Sequence, residues 1–89
     1  MSEFENRLEL LRGDIDDIDS QLVKLIADRL AVTAKVGELK RSEGKPIFVP
    51  EREAALINKR REQAKAAGFS GDLIEDVLRR LIRDSYISQ

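Results

Sequence analysis

The chain has 89 residues and a formal net charge of −1, from 16 Lys and Arg against 17 Asp and Glu, which argues against a nucleic acid or an anionic membrane as main partner. It contains no Cys and no His, which excludes disulfides, a thiolate nucleophile, Ser-His or Cys-His catalysis, and the commonest ligand of transition metals. No apolar segment is long enough to span a membrane and the acidic N-terminus is unlike a signal peptide, so we expect one domain, residues 1–89, in the cytoplasm.

The first predicted helix extends from about Glu3 to about Ser42, and Gly44 is predicted to end it. Its a and d heptad positions are aliphatic except for one, which is occupied by Arg29. The aliphatic occupants are Leu8, Leu11, Ile15, Ile18, Leu22, Leu25, Val32, Val36 and Leu39. A guanidinium stays protonated and is costly to bury unpaired. Arg29 therefore meets either a carboxylate of the protein or an anion brought in from outside.

The length of this helix predicts an assembly. It should extend about 57 Å, whereas a compact domain of this size has a radius of gyration near 12 Å. The remaining chain is too short to cover its apolar seam, so we predict an intertwined homodimer in which the long helices pair. An ordinary coiled-coil dimer, with polar residues setting the register, would explain the same pattern.

Two shorter helices follow. The second is predicted to begin at Pro50, which suits the first helical position, and to end at about Ala66, before Gly68. The third is capped by Ser70 or Asp72 and continues to the C-terminus, with apolar pairs that recur every fourth residue. No strand pattern is found, so the sequence predicts an all-α fold of one long and two shorter helices.

Cations on the first helix are spaced to hold a small anion. Arg29 and Lys40 are eleven residues apart, which places them on one side of an ideal helix about 16 Å apart. Their long side chains could bracket a small dianion. Arg12 lies about 25 Å from Arg29 along the helix and could reach that ligand only from the partner chain. Taken singly, Arg12 and Lys40 also fit solvated residues that flank the seam.

The other helices add polar residues beside their apolar stripes. Arg52 and Glu53 lie in the first turn of the second helix, while Ser85 and Gln89 continue an apolar row of the third. Each position also has an ordinary explanation. A Glu in the first turn favours the helix dipole, and the last turn of a chain commonly frays.

Several motifs together resemble a known family. They are Leu-Arg at 11–12, Ala-Asp-Arg-Leu at 27–30, Val-Gly-Glu-Leu-Lys at 36–40, Pro-Ile-Phe-Val-Pro-Glu-Arg-Glu at 46–53, Ile-Glu-Asp-Val-Leu-Arg-Arg at 74–80 and Asp-Ser-Tyr at 84–86. The chain resembles the all-helical chorismate mutases over essentially its whole length. Within them it is most similar to the mutase domain at the N-terminus of bifunctional chorismate mutase/prephenate dehydrogenase proteins.

The resemblance implies an activity that needs no cofactor and no metal. Chorismate would be rearranged to prephenate, the first committed step toward tyrosine and phenylalanine, in a pericyclic reaction without obligatory proton transfer. The partner subunit's Arg12 and Arg29 would hold the substrate carboxylates. Lys40 and Gln89 would donate hydrogen bonds to the ether oxygen whose bond to carbon breaks.

The resemblance assigns three further polar residues and shows one departure. Glu53 would accept a hydrogen bond from the substrate hydroxyl, and Ser85 and Arg52 would complete the polar wall. Many relatives place an aspartate four residues before this glutamate, where this chain has Val49. The hydroxyl contact would then depend on Glu53 and backbone groups.

Two other functions remain open from the sequence. Isochorismate-pyruvate lyase activity uses the same fold and a similar cationic pocket, and a helical dimerisation or regulatory module could have lost activity. A fused prephenate dehydrogenase would be a further partner, but this chain contains no glycine-rich dinucleotide fingerprint.

Overall fold

The computed structural model describes residues 2–88, with side chains described for residues 2–86. The described residues form three α-helices, namely α1 (Glu3–Ser42), α2 (Pro50–Ala66) and α3 (Gly71–Ser88), and no strand. The predicted all-α fold with one long and two shorter helices is therefore confirmed. Within residues 2–88, no helix is both long enough and apolar enough to cross a bilayer.

The helix ends have local causes in the sequence. The Ser2 hydroxyl accepts a hydrogen bond from the Glu5 amide (3.1 Å) and so caps the start of α1. After α1, Gly44 adopts a φ of 66°, and the amide of Lys45 donates to the Lys40 carbonyl at 2.8 Å. After α2, Gly68 adopts a φ of 91° in the same type of turn. A positive φ is strained for any residue with a Cβ, so these glycines end both helices where the sequence predicts.

The chain divides into two units, Met1–Ala31 and Val32–Gln89. In the first unit, most of the apolar heptad residues of α1 are exposed to solvent within this single chain. Five of them are 51% to 62% exposed, namely Leu11, Ile15, Ile18, Leu22 and Leu25. A row of this kind is a surface that another chain could cover.

In the second unit, α2 packs against α3 around a small core. Ile57 and Ala64 on α2 and Leu78 on α3 are its buried apolar side chains. The C-terminal part of α1 belongs to the same unit, and its Gly37 is buried. This packing holds the loop between α1 and α2 beside α3.

Charged side chains also join α2 to α3. Arg61 Nη1 donates to Asp72 Oδ1 (2.9 Å) and Glu75 Oε1 (2.8 Å), and Arg79 Nε donates to Glu75 Oε2 (2.7 Å). Arg79 Nη1 then lies 3.7 Å from Glu53 Oε1. We call this alternating series the α2–α3 ion-pair chain. The sequence analysis did not predict it.

Glu75, at the centre of this chain, should make stability depend on acid pH. The hydrogen bond from Arg79 lowers the pKa of Glu75, desolvation opposes this, and Arg61 lowers the pKa further. Since the folded-state pKa lies below the ordinary value of 4.5, Glu75 stabilises the fold above that pH and loses this effect as the pH falls through the folded pKa. Glu75→Gln should therefore reduce the urea midpoint at pH 7 and lose less stability than wild type on acidification.

Urea unfolding at a series of pH values measures this difference. Glu62→Gln, which changes an exposed residue of α2, is the matched control and should follow the wild-type profile. An acid limb that is unchanged in Glu75→Gln would contradict the prediction.

Candidate active site

Two adjoining pockets of the second unit bring predicted site residues together. They share Lys40, Ile47, Ile82 and Tyr86. The first, of about 120 Å³, is also lined by Thr33, Val36, Gly37 and Ser85. The second, of about 100 Å³, is also lined by Val49, Arg52, Glu53 and Leu56. We call them the Lys40 pockets. Four predicted site residues thus line one region: Lys40, Arg52, Glu53 and Ser85.

Lys40 is fixed beside the loop that follows α1. It is half-buried in the last turn of the helix, and its Nζ donates to the Ile47 carbonyl at 3.3 Å. The glycine turn at residue 44 brings that carbonyl back toward the helix. An ammonium has three donors, so Lys40 can still donate to a ligand in the pockets.

The first turn of α2 places a carboxylate in the second pocket. Val49 is the N-cap, and Pro50 follows it at the start of the helix. The Glu53 side chain is only 20% exposed. Its Oε2 is buried and has no hydrogen-bond partner. A buried acceptor without a donor costs about 1–3 kcal/mol, and such an atom in a pocket can accept a hydrogen bond from a ligand. Arg52 is exposed at the same end of the helix.

Ser85 is buried, and the chain itself uses its hydroxyl. The Ser85 Oγ donates to the Leu81 carbonyl at 2.9 Å and lies 3.1 Å from the Thr33 Oγ1. The second of these contacts joins α3 to the C-terminal part of α1. A serine has a single donor, so Ser85 would meet a ligand as an acceptor, or after its hydroxyl rotates.

The remaining predicted residues are not brought into these pockets. Arg12 lies in the first unit, is 61% exposed and pairs with Glu9 at 3.2 Å, as expected for a solvated flank residue. Arg29, also in the first unit, is half-buried, and its Nη1 is buried without a hydrogen-bond partner. Gln89 lies outside the described residues.

Comparison with known proteins identifies the family. The sequence profile of the family described as chorismate mutase type II matches residues 11–89. The chain belongs to the chorismate mutase type II family. The family assignment made from the sequence motifs is thus confirmed.

Curated relatives agree with this assignment. The chain is 48% identical to the T-protein of Haemophilus influenzae over 86 residues, which cover 97% of the chain and 23% of that protein. It is 52% identical to the T-protein of Enterobacter agglomerans over 92% of the chain and 22% of that protein. It is 39% identical to the chorismate mutase of Methanocaldococcus jannaschii over 66% of the chain and 60% of that protein. The chain thus spans less than a quarter of the T-proteins' length. No solved structure matches it.

Tyr86 lines the site of this chorismate mutase family member, but the sequence analysis did not predict it as a site residue. It lines both Lys40 pockets, and its ring meets Phe48 edge to face with centroids 5.9 Å apart. Burial raises the pKa of its phenol, and interaction with the Glu53 carboxylate raises it further. The phenol therefore remains protonated near neutral pH. Its place directly after Ser85 in a family motif was the available signal.

Proposed function

We propose that this chain is a chorismate mutase that rearranges chorismate to prephenate in the cytoplasm, as part of aromatic amino acid biosynthesis. One observation carries the proposal. Lys40 and Glu53 line the same pocket, and the Glu53 Oε2 is buried without a donor. Chorismate offers the complementary groups, since its hydroxyl can donate to Glu53 and its ether oxygen can accept from Lys40. Membership of the chorismate mutase type II family supports this pairing.

The proposed mechanism needs positioning and charge rather than acid-base chemistry. In the pericyclic transition state, the carbon–oxygen bond of the ether breaks while a carbon–carbon bond forms, and negative charge grows on the ether oxygen. A preorganised ammonium at Lys40 stabilises that charge, and we propose that Gln89 adds a second donor. Holding the enolpyruvyl arm over the ring supplies the orientation. An acceleration of about 10⁶ requires about 8 kcal/mol, which these two effects can provide together.

Arginines are the proposed holders of the two substrate carboxylates. Arg29 is suited to this role because its buried Nη1 has no hydrogen-bond partner. Of the two partners that the sequence left open for Arg29, a protein carboxylate or an external anion, this observation favours the external anion. A planar guanidinium can bind a carboxylate through two parallel hydrogen bonds. The cationic wall would be completed by Arg52, which is exposed in the first turn of α2, and by the partner subunit's Arg12. Ser85 would be a neutral polar member of the same wall.

The proposed homodimer rests on the exposed heptad row of the first unit. Five aliphatic side chains there are more than half exposed. Pairing of two such helices would remove this apolar surface from water, at roughly 25 cal/mol for each Å² buried. In that assembly the first helix would carry Arg12 to the partner's site.

A product-resolved assay tests the proposed function. Chorismate and isochorismate are supplied to the chain in separate reactions, their ultraviolet absorbance is followed, and the products are separated and identified. We expect prephenate from chorismate. Salicylate with pyruvate from isochorismate, without prephenate, would instead identify a lyase. The absence of turnover with both substrates would identify a non-catalytic helical module.

Turnover of chorismate should be nearly constant between about pH 6 and 8. No reference pKa of Glu, Lys or Arg falls in this window, and the chain has no His. The raised pKa of Tyr86 moves its titration further above the window. Initial rates at saturating chorismate, measured across this range at constant ionic strength, check the prediction. A steep fall in rate on the acid side of this window would contradict the proposal that catalysis depends on groups that do not titrate between about pH 6 and 8.

A further inference from the structure

Glu53 is the end of the α2–α3 ion-pair chain. Its Oε1 lies 3.7 Å from Arg79 Nη1, while its Oε2 is buried without a hydrogen-bond partner. The same carboxylate lines one of the Lys40 pockets and also a further pocket of about 180 Å³ that Arg79 lines. The two oxygens of Glu53 therefore have different surroundings, and only one of them is beside a cation of α3.

Arg79 is held in place by partners of its own. Its Nε donates to Glu75 Oε2 at 2.7 Å, and the other oxygen of Glu75 accepts from Arg61 at 2.8 Å. Arg61 also pairs with Asp72 at the start of α3. The guanidinium fork is thus oriented by one carboxylate while its Nη1 faces another. A lysine at this position would present a single ammonium and could not reproduce this fork.

We propose that Arg79 is a positioning residue, which holds the Glu53 carboxylate so that its Oε2 faces the substrate hydroxyl. This inference rests on the proposed mutase function. At 3.7 Å, Arg79 acts on Glu53 Oε1 mainly through charge, and it leaves Oε2 available. Other groups near Glu53 are the Tyr86 phenol, with which it interacts, and Lys40 and Arg52, which line the same pocket. Of the cations around Glu53, Arg79 is the one that the α2–α3 ion-pair chain holds in place.

A double-mutant cycle on kcat/KM tests whether Arg79 acts through Glu53. Arg79→Ala should lower kcat/KM about 10-fold in the wild-type background but less than about 2-fold in the Glu53→Gln background, where the charge that it orients is absent. Arg79→Lys should recover part of the loss. Arg79→Gln, which retains most of the stem without the charge, is the second variant if Arg79→Ala does not fold.

Arg80→Ala is the matched control. Arg80 is the next residue of α3 and forms an exposed ion pair with Asp84 at 3.1 Å. Its removal should change kcat/KM less than about 2-fold, as expected of a surface pair outside the site. The positioning role of Arg79 would be overturned if Arg79→Ala lowered kcat/KM equally in both backgrounds, or if Arg80→Ala lowered it as much as Arg79→Ala does. Either result would leave the proposed mutase function standing. No turnover of chorismate by the wild-type chain would overturn the proposed function, and this inference with it.

Discussion

Replacing Lys40 by alanine should lower kcat by about 10²- to 10³-fold, the typical cost of removing one preorganised donor from a developing oxyanion. The change in KM should be smaller, because the ether oxygen gains its negative charge mainly in the transition state. Steady-state kinetics with chorismate separate these two effects. If kcat were unchanged and KM were raised, Lys40 would contribute to substrate binding and not to stabilisation of the transition state.

Lys35→Ala is the matched control for this experiment. Lys35 lies on the same helix but is exposed and outside both Lys40 pockets. The Lys40 substitution also removes the bond to the Ile47 carbonyl, so thermal unfolding of both variants must be compared with wild type. A folded Lys40→Ala chain that keeps more than about a tenth of wild-type kcat would contradict the proposed role of Lys40.

Mixing inactive Arg12→Ala chains with inactive Arg29→Ala chains should restore turnover if the site is shared across a dimer. Each mixed dimer would contain one site with both arginines and one site with neither. Random exchange of subunits at equal concentrations would therefore recover about one quarter of the wild-type number of intact sites. Activity measured as a function of exchange time should rise to that level.

Two controls make this result specific. Each variant carried alone through the same exchange should remain inactive. Arg7→Ala should retain activity, since Arg7 forms an exposed ion pair with Glu3 in the first unit. Exchange itself is verified with chains of different mass. Confirmed exchange without recovery of turnover would reject the shared site.

The helices of this chain could be predicted from local signals. Gly44 and Gly68 were expected to end the first two helices, and both adopt the positive φ that such an ending requires. Pro50 was expected to begin the second helix and does so. These features depend on neighbours in the chain, so a single sequence contains the information. The homodimer remains a proposal, because pairing depends on a surface that one chain leaves open.

The candidate site was less accessible from the sequence. Lys40, Glu53 and Ser85 could be selected from patterns, but the contact between Glu53 and Arg79 depends on how α2 packs against α3. Tyr86 was missed for a similar reason, since only folding brings it beside Phe48. The sequence pattern along a helix predicts on which face of the helix a residue lies. Contacts between two helices can be predicted only when the geometry of their crossing is known.

The start of α2 links folding to the charge of the second Lys40 pocket. Val49 is extended, with φ of −127° and ψ of 98°, as the following Pro50 requires, and it makes no side-chain cap. An aspartate there could cap the helix, an effect worth about 0.5–2 kcal/mol, and would add a negative charge to the wall of the second Lys40 pocket. With Val49, the chain forgoes that cap and adds no charge at this position of the pocket. One side chain therefore affects both the stability of the first turn of α2 and the net charge of the pocket.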